Sequence, residues 1–320
     1  MNRVASIDIG SNTLRLLVLE GDAGGPFREL AADRAITRLG EGMDTQKRLL
    51  DSRIQLTLEA LGRFKETCRA LGAGAIHAVA TSAVREAANR EEFVTRVRDR
   101  LGIEVEVIPW EEEARLTLEG VFWKLPDHGQ KTLTFDIGGG STEFILSRGK
   151  NIAATAGTSL GVVRLTEKFI SRHPVPDAEH RNLSSHLAAE LKIVKNQLGA
   201  FNPDLLIGTA GTVTTLAALD GDIFPYDPAK IHGYVLPFNR VQAIMERLKS
   251  KTLEERLALR ALERGREDLI IAGTALVLTT METFACPSLT VSEYSLREGI
   301  LLKALGQVDP ERAPERPSGE

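Results

Sequence analysis

The chain is short of cysteine, of long apolar runs and of any surplus of one charge. Cys68 and Cys286 are its two thiols, far apart and each inside an apolar, helix-like stretch. That excludes a disulfide-stapled scaffold and fits buried thiols in a reducing compartment. No apolar run is long enough to span a bilayer; the longest candidate, Leu269 to Leu278, falls short. No membrane partner is therefore expected. Met1-Asn2-Arg3 leads straight into a strand-like run, so no secretory leader and a cytoplasmic location are expected. The formal net charge of −4 gives no global footprint for nucleic acid. A polyanionic ligand would need a local basic patch instead. The six histidines show no metal-ligand spacing, and His232-Gly233 reads as a turn with a structural histidine.

What is present is one pattern used twice. Val4 to Leu17 reads as an apolar strand, the turn Asp8-Ile9-Gly10-Ser11-Asn12, and a second apolar strand. Thr132 to Ile145 repeats it around Asp136-Ile137-Gly138-Gly139-Gly140-Ser141-Thr142-Glu143. The copies align without a gap from Asp8 on Asp136 to Arg15 on Glu143. Such a repeat predicts two related lobes facing each other across a cleft, and the length fits two domains. Glycine carries no Cβ, so each turn can bring backbone N–H groups against a phosphate. Each Asp stands at a strand end, where a carboxylate can hold a hard cation directly or through water.

Strands and helices alternate in both halves, which predicts an α/β fold. In the first half, strands are expected over 4–9, 14–19, 27–37, 76–80 and 103–108. Helices are expected over 51–71, from Thr81-Ser82, over 91–101 with Asn89 as its cap, and over 111–123. Residues 125–129 read as the linker and one strand of a hinge. In the second half, strands are expected over 131–136, 142–146, 152–156, 205–209 and 289–291. Helices are expected over 161–172, 176–201, 211–219, 268–284 and 295–305, with another from a Thr252/Glu255 capping box to Glu263. The expected lobes are 1–125, joined by the final helix 295–307, and 126–308, with 309–320 as a flexible tail.

Further segments follow in order: Arg38-Leu39-Gly40-Glu41-Gly42, Ala80-Thr81-Ser82-Ala83-Val84-Arg85-Glu86-Ala87, Glu111-Glu112-Glu113-Ala114-Arg115-Leu116, Gly208-Thr209-Ala210-Gly211-Thr212 and Leu296-Arg297-Glu298-Gly299. With the two hairpins, they resemble the signatures of the exopolyphosphatase and guanosine-pentaphosphate phosphatase family. That family lies within the actin-like ATPase superfamily, alongside sugar kinases and heat-shock chaperones. The resemblance covers nearly the whole chain and is carried by the order of the segments, since a single Gly-rich loop would carry little. It implies two actin-like (ribonuclease H-like) lobes. Long members of the family add C-terminal helical domains. This chain resembles the short form, which leaves a homodimer and a channel for long polymers open.

The resemblance implies hydrolysis of a terminal phosphoanhydride in polyphosphate or guanosine pentaphosphate. Phosphoryl transfer of this kind needs charge neutralisation, alignment and a positioned water. The implied phosphate donors are Gly10, Ser11, Asn12, Gly138, Gly139, Gly140, Ser141 and Thr142. Gly211 and Thr212 add a helix N-terminus that favours anions. Glu113 matches the position of the base that deprotonates water; sequence chemistry alone does not separate it from Glu111 or Glu112. Asp136 and Glu143 are the implied acidic pair for Mg²⁺, or Mn²⁺ in its place, with Asp8 as a partner through water. A turn-forming role for Asp8 stays open.

Arg85, early in its helix, is expected to point into the cleft, where a guanidinium fork suits phosphate. A solvated helix arginine is the alternative. Arg15, Arg164, Lys168 and Arg297 are weaker candidates for a basic rim, and Arg38 and Glu41 for the cleft mouth. Two other functions share the fold: an ATP-dependent sugar or small-molecule kinase, and a non-catalytic polyphosphate or alarmone sensor. No sugar-recognition cluster is visible for the first, and the three carboxylates argue against the second.

Overall fold

Each repeat copy folds into an antiparallel hairpin inside a mixed sheet. The computed structural model describes residues 2–22, 26–199 and 202–306. The chain forms two units. One holds residues up to Trp123 together with the helix that follows Ser295; the other runs from Lys124 to Tyr294.

The first unit opens with a meander of β1 (Asn2–Ile9), β2 (Thr13–Gly21) and β3 (Arg28–Ile36). Residues 23–25, between β2 and β3, lie outside the described residues. A one-turn helix not expected from sequence, α1 (Met43–Gln46), precedes α2 (Asp51–Ala70). Ile54, Leu58, Leu61, Phe64 and Cys68 recur at helical spacing and form the buried face of α2. Gly72 follows its end at φ 66°. Then come β4 (Ala75–Ala80), α3 (Ser82–Glu86), α4 (Arg90–Leu101), β5 (Val105–Val107) and α5 (Trp110–Val121). The sheet order is β3-β2-β1-β4-β5, with β4 and β5 parallel to β1. Only the second half of β4, Ala78 to Ala80, is buried. Asn89 does not cap α4 with its side chain. Its amide accepts from Leu49 N and donates to Leu49 O instead, so it ties the loop before α2.

The second unit repeats this plan. Its strands are β6 (Lys131–Ile137), β7 (Thr142–Arg148), β8 (Asn151–Thr158), β9 (Leu205–Thr209), β10 (Val235–Pro237) and β11 (Ser288–Val291). Its helices are α6 (Val162–Phe169), α7 (Asp177–Gln197), α8 (Ala210–Gly221), α9 (Pro228–Ile231), α10 (Phe238–Lys249), α11 (Leu253–Leu257) and α12 (Ile270–Thr283). The sheet order is β10-β11-β9-β6-β7-β8. Read from the other edge, β8-β7-β6-β9-β11 has the strand senses of β3-β2-β1-β4-β5. The repeat therefore extends from the hairpin to the whole sheet. Three elements were not expected from sequence: α9, β10 and α10. Three helices are shorter than expected, with α6 ending at Phe169, α7 at Gln197 and α11 at Leu257.

The last helix, α13 (Leu296–Ala304), is closed at its start by a Ser295/Glu298 capping box. It packs on α5 and β1. Leu301 and Leu305 bury against Val4, Leu17 and Leu19. The sheet's other face carries the main core of this unit, under α2 and α4. α5 and α13 meet backbone to backbone, since a Cβ on Gly120 would overlap Ser295 O and one on Gly299 would overlap Leu116 O. That contact fixes the helix bearing the glutamate run. Among the described residues, no helix is long and apolar enough to cross a membrane.

Candidate active site

In the first hairpin, Gly10 N donates to Thr13 O and closes the turn. Its amide is thus used within the loop, and the expectation that Gly10 donates to phosphate is corrected. Ser11 O accepts from Gly40 N at 2.7 Å, and Asn12 O accepts from both Thr37 N and Arg38 N. A trans peptide points its C=O and N–H to opposite sides. With Ser11 O turned onto Gly40, Asn12 N–H faces away from that loop. Ser11 Oγ accepts from Ala83 N at 3.2 Å, which fixes the start of α3. Asn12 Oδ1 is buried with no hydrogen-bond partner, an orphaned polar atom at the turn. Asp8 lies directly across the ladder from Arg15.

The structure separates the three glutamates. α5 turns about 100° per residue, so neighbours face different surroundings. Glu111 is exposed. Glu112 pairs with Arg115 at 2.8 Å and with Lys303 of α13 at 2.6 Å. Burial pushes the Glu112 carboxyl up, but the bonds from Arg115 and Lys303 outweigh it and hold it below the usual carboxylate range. Glu113 is buried, and its Oε2 accepts from Arg85 Nη1 at 2.7 Å.

Arg85 is not the solvated helix arginine of the alternative reading, since its side chain is 13% exposed. Nη1 also donates to Ile108 O at 3.0 Å. The guanidinium lies 3.9 Å from the centroid of the Trp110 ring. Its Nε and Nη2 are buried with no hydrogen-bond partner among the described residues. A rim position is also corrected for Arg297, which pairs with Glu298 at 2.6 Å and reaches Leu16 O. Glu41 pairs with Arg53.

In the second hairpin, Gly138 N donates to Ser141 O at 2.9 Å, the same closure as in the first. Gly138, like Gly10, is therefore corrected from phosphate donor to turn closure. Val162 N donates to Gly138 O and Val163 N to Gly139 O. The first amides of α6 thus take the loop carbonyls. By the same peptide geometry, the N–H groups of Gly139 and Gly140 point away from α6. Gly161 permits this approach, because a Cβ there would collide with the Gly139–Gly140 peptide. Thr142 Oγ1 donates to Leu160 O at 2.8 Å and the residue is fully buried. Its hydroxyl braces the chain before α6.

Asp136 and Glu143 are register partners across the β6/β7 ladder. Directly opposed residues share a sheet face, with Cβ atoms about 5 Å apart, and like charges there repel. Ser141 Oγ donates to Glu143 Oε1 at 2.7 Å. Among the described residues, no group of three or more His, Cys, Asp or Glu side chains is gathered for a metal. Two opposed carboxylates still fit a hard cation such as Mg²⁺, which keeps waters and takes further oxygens from substrate phosphates.

The neighbouring strand β9 brings Thr209 beside Asp136. α8 starts with Ala210 at φ 69°, a conformation that is strained for a residue with a Cβ. Gly211 lies under the Arg266 guanidinium, which occupies the place of a Cβ. Arg266 is buried and pairs with Glu263. The Thr212 side chain turns onto Gly273 of α12 and so into the unit's interior. That concerns the side chain; the expected anion site rests on the N–H groups that open α8. Arg164 is buried on α6, and Lys168 sits over Phe169.

Trp110 and Arg266 did not stand out in the sequence. Trp110 directly precedes the glutamate run, which was the one signal. Nothing local marks Arg266, which reaches Gly211 from a distant segment.

Comparison with known proteins follows this geometry. A sequence profile of the Ppx/GppA phosphatase family matches residues 17–308. Exopolyphosphatase 2 of Mycobacterium tuberculosis is 33% identical over 96% of this chain and 99% of its own length. The crystal structure of the Aquifex aeolicus Ppx/GppA family member superposes with a TM-score of 0.81 at 35% identity, covering 96% of this chain and 98% of that one. An exopolyphosphatase from Cytophaga hutchinsonii gives a TM-score of 0.89 at 27% identity over 96% and 99% of the two chains.

Proposed function

The chain belongs to the Ppx/GppA phosphatase family, and from that premise we propose that it removes the terminal phosphate of inorganic polyphosphate, guanosine pentaphosphate, or both. It is a hydrolase of acid anhydride bonds. The observation that carries the mechanism is the buried Arg85–Glu113 pair. One edge of the guanidinium holds the carboxylate, while Nε and Nη2 have no acceptor. Those two parallel donors suit two oxygens of one phosphoryl group.

In this reading, Glu113 accepts a proton from the water that attacks the terminal phosphorus. The new P–O bond forms as the bridging P–O bond breaks, and the shortened chain leaves as an anion. Amides at Ser11, Asn12, Gly139, Gly140 and Ser141 bind the phosphate oxygens. A Mg²⁺ or Mn²⁺ ion held by Asp136 and Glu143 would neutralise charge on those oxygens. Asp8 is assigned a supporting role through water.

The test is release of inorganic phosphate from polyphosphate and from guanosine pentaphosphate, side by side, with and without Mg²⁺. The wild type releases phosphate, and Glu113→Gln lowers the rate by about 10²–10⁴-fold, the usual worth of a general base. No release from either substrate, or full activity in Glu113→Gln, rejects the reading.

A further inference from the structure

We infer that Trp110 is a positioning residue for the reaction, holding the Arg85 guanidinium in the one plane that serves Glu113 and the substrate together. The inference rests on the phosphoanhydride reading above. Arg85 rises from α3 and Trp110 from the first position of α5, so two separate helices meet at this contact. Of the five N–H donors of a guanidinium, those on Nη1 serve Glu113 Oε2 and Ile108 O. The Nε/Nη2 edge is buried without an acceptor among the described residues.

Hydrogen bonds at one corner leave the group able to swing about that corner. A ring stacked on its face removes that freedom, since a guanidinium prefers to lie flat on an aromatic surface. Trp110 therefore keeps the empty edge aimed and ready before any anion arrives. It also keeps the Glu113 carboxylate bonded to Nη1 rather than to that edge.

The readout combines kinetics with emission. Trp110→Phe keeps an aromatic face and retains kcat/KM within about threefold. Trp110→Leu keeps apolar bulk but no π face and lowers kcat/KM about tenfold, in the range set by a desolvated cation–π contact. The Leu and Phe variants are matched by melting temperature, so a fold defect is visible as a fall in Tm. Separately, Trp123→Phe leaves Trp110 as the single indole of the chain. Its emission shifts saturably with polyphosphate, and Arg85→Ala in that background abolishes the shift. A Leu variant with kcat/KM within twofold of the Phe variant overturns the inference. So does unchanged emission at polyphosphate concentrations that saturate wild-type turnover. If the wild type cleaves neither substrate, the family reading fails first. The emission titration then decides alone, and unchanged emission up to millimolar polyphosphate overturns the role of Trp110.

Discussion

In the first hairpin Asp8 faces Arg15 across the ladder; at the same register of the second, Asp136 faces Glu143. Both turns close with the same bond, Gly10 N to Thr13 O and Gly138 N to Ser141 O. Both belong to sheets of the same strand order. The backbone was duplicated and the charge was not. An acid opposite a base is compensated where it stands. Two opposed acids need a proton or a cation. In the proposed reading the cation sits on the acids of the second hairpin, and Arg85 and Glu113 belong to the first unit.

The bracing differs as well. The first turn is held by the loop after β3 and by the first amides of α3. The second is held by the first amides of α6. These differences can be broken one at a time. The largest effect is expected from writing the first hairpin's charge into the second. Glu143→Arg lowers the phosphate-release rate about a thousandfold, as loss of a major electrostatic stabiliser does. The mirror change, Arg15→Glu, lowers it less than about tenfold. Equal losses would erase the distinction between the hairpins.

Next come the braces. Gly161→Ala drives a Cβ into the Gly139–Gly140 peptide and destabilises by about 3 kcal/mol, the upper range for overpacking. Gly40→Ala meets Ser11 Cβ at 2.9 Å, a milder overlap with an atom that moves only with its backbone, and destabilises by about 2 kcal/mol. Urea unfolding of the two variants checks the order.

One serine from each hairpin separates a metal role from a structural one. Ser141→Ala removes the bond to Glu143 and weakens Mg²⁺ affinity about tenfold, as loss of a bond to a ligating carboxylate does. Ser11→Ala leaves Ala83 N without its acceptor and destabilises by about 1 kcal/mol, with Mg²⁺ dependence unchanged. Mg²⁺ titrations of the rate and melting curves distinguish them.

The smallest expected effect is on acid stability. Burial is the main cause that holds His173, His180 and His186 of the second unit below the ordinary histidine value of 6.5. In the first unit, burial does the same for His77. A depressed pKa in the folded state means the unfolded chain binds more protons. The stability these groups contribute is present above pH 6.5 and is lost as pH falls through their lower folded values. Calorimetry from pH 7.5 to 5 shows the second unit losing more than the first. His180→Gln reduces that loss, and an identical fall in both units contradicts it.

Much of the fold was legible because local rules agreed with it. Apolar spacing marked α2, the Thr252/Glu255 box marked the start of α11, and the repeated Asp-Ile-Gly turn marked both hairpins. The signal for α10 was also present, in Val241, Ile244, Met245 and Leu248, which form its buried face. The site was less legible. A glycine motif does not say which amides its own turn consumes, so Gly10 and Gly138 read as donors until the closing bonds were seen. Three consecutive glutamates look alike until helix phase and long-range partners separate them. Thr142 and Thr212 sit in phosphate-like motifs but point into packing, because α6 and α12 lie against them. Arg266 on Gly211 is a tertiary contact with no local mark.

The proposed cation depends on the second hairpin far more than on the first. The most direct measurement is the half-saturating Mg²⁺ concentration for phosphate release in Asp136→Asn and Asp8→Asn, run in parallel. The expected result is a rise of about tenfold or more for Asp136→Asn and less than about threefold for Asp8→Asn. Equal rises, or a larger one for Asp8→Asn, would contradict it.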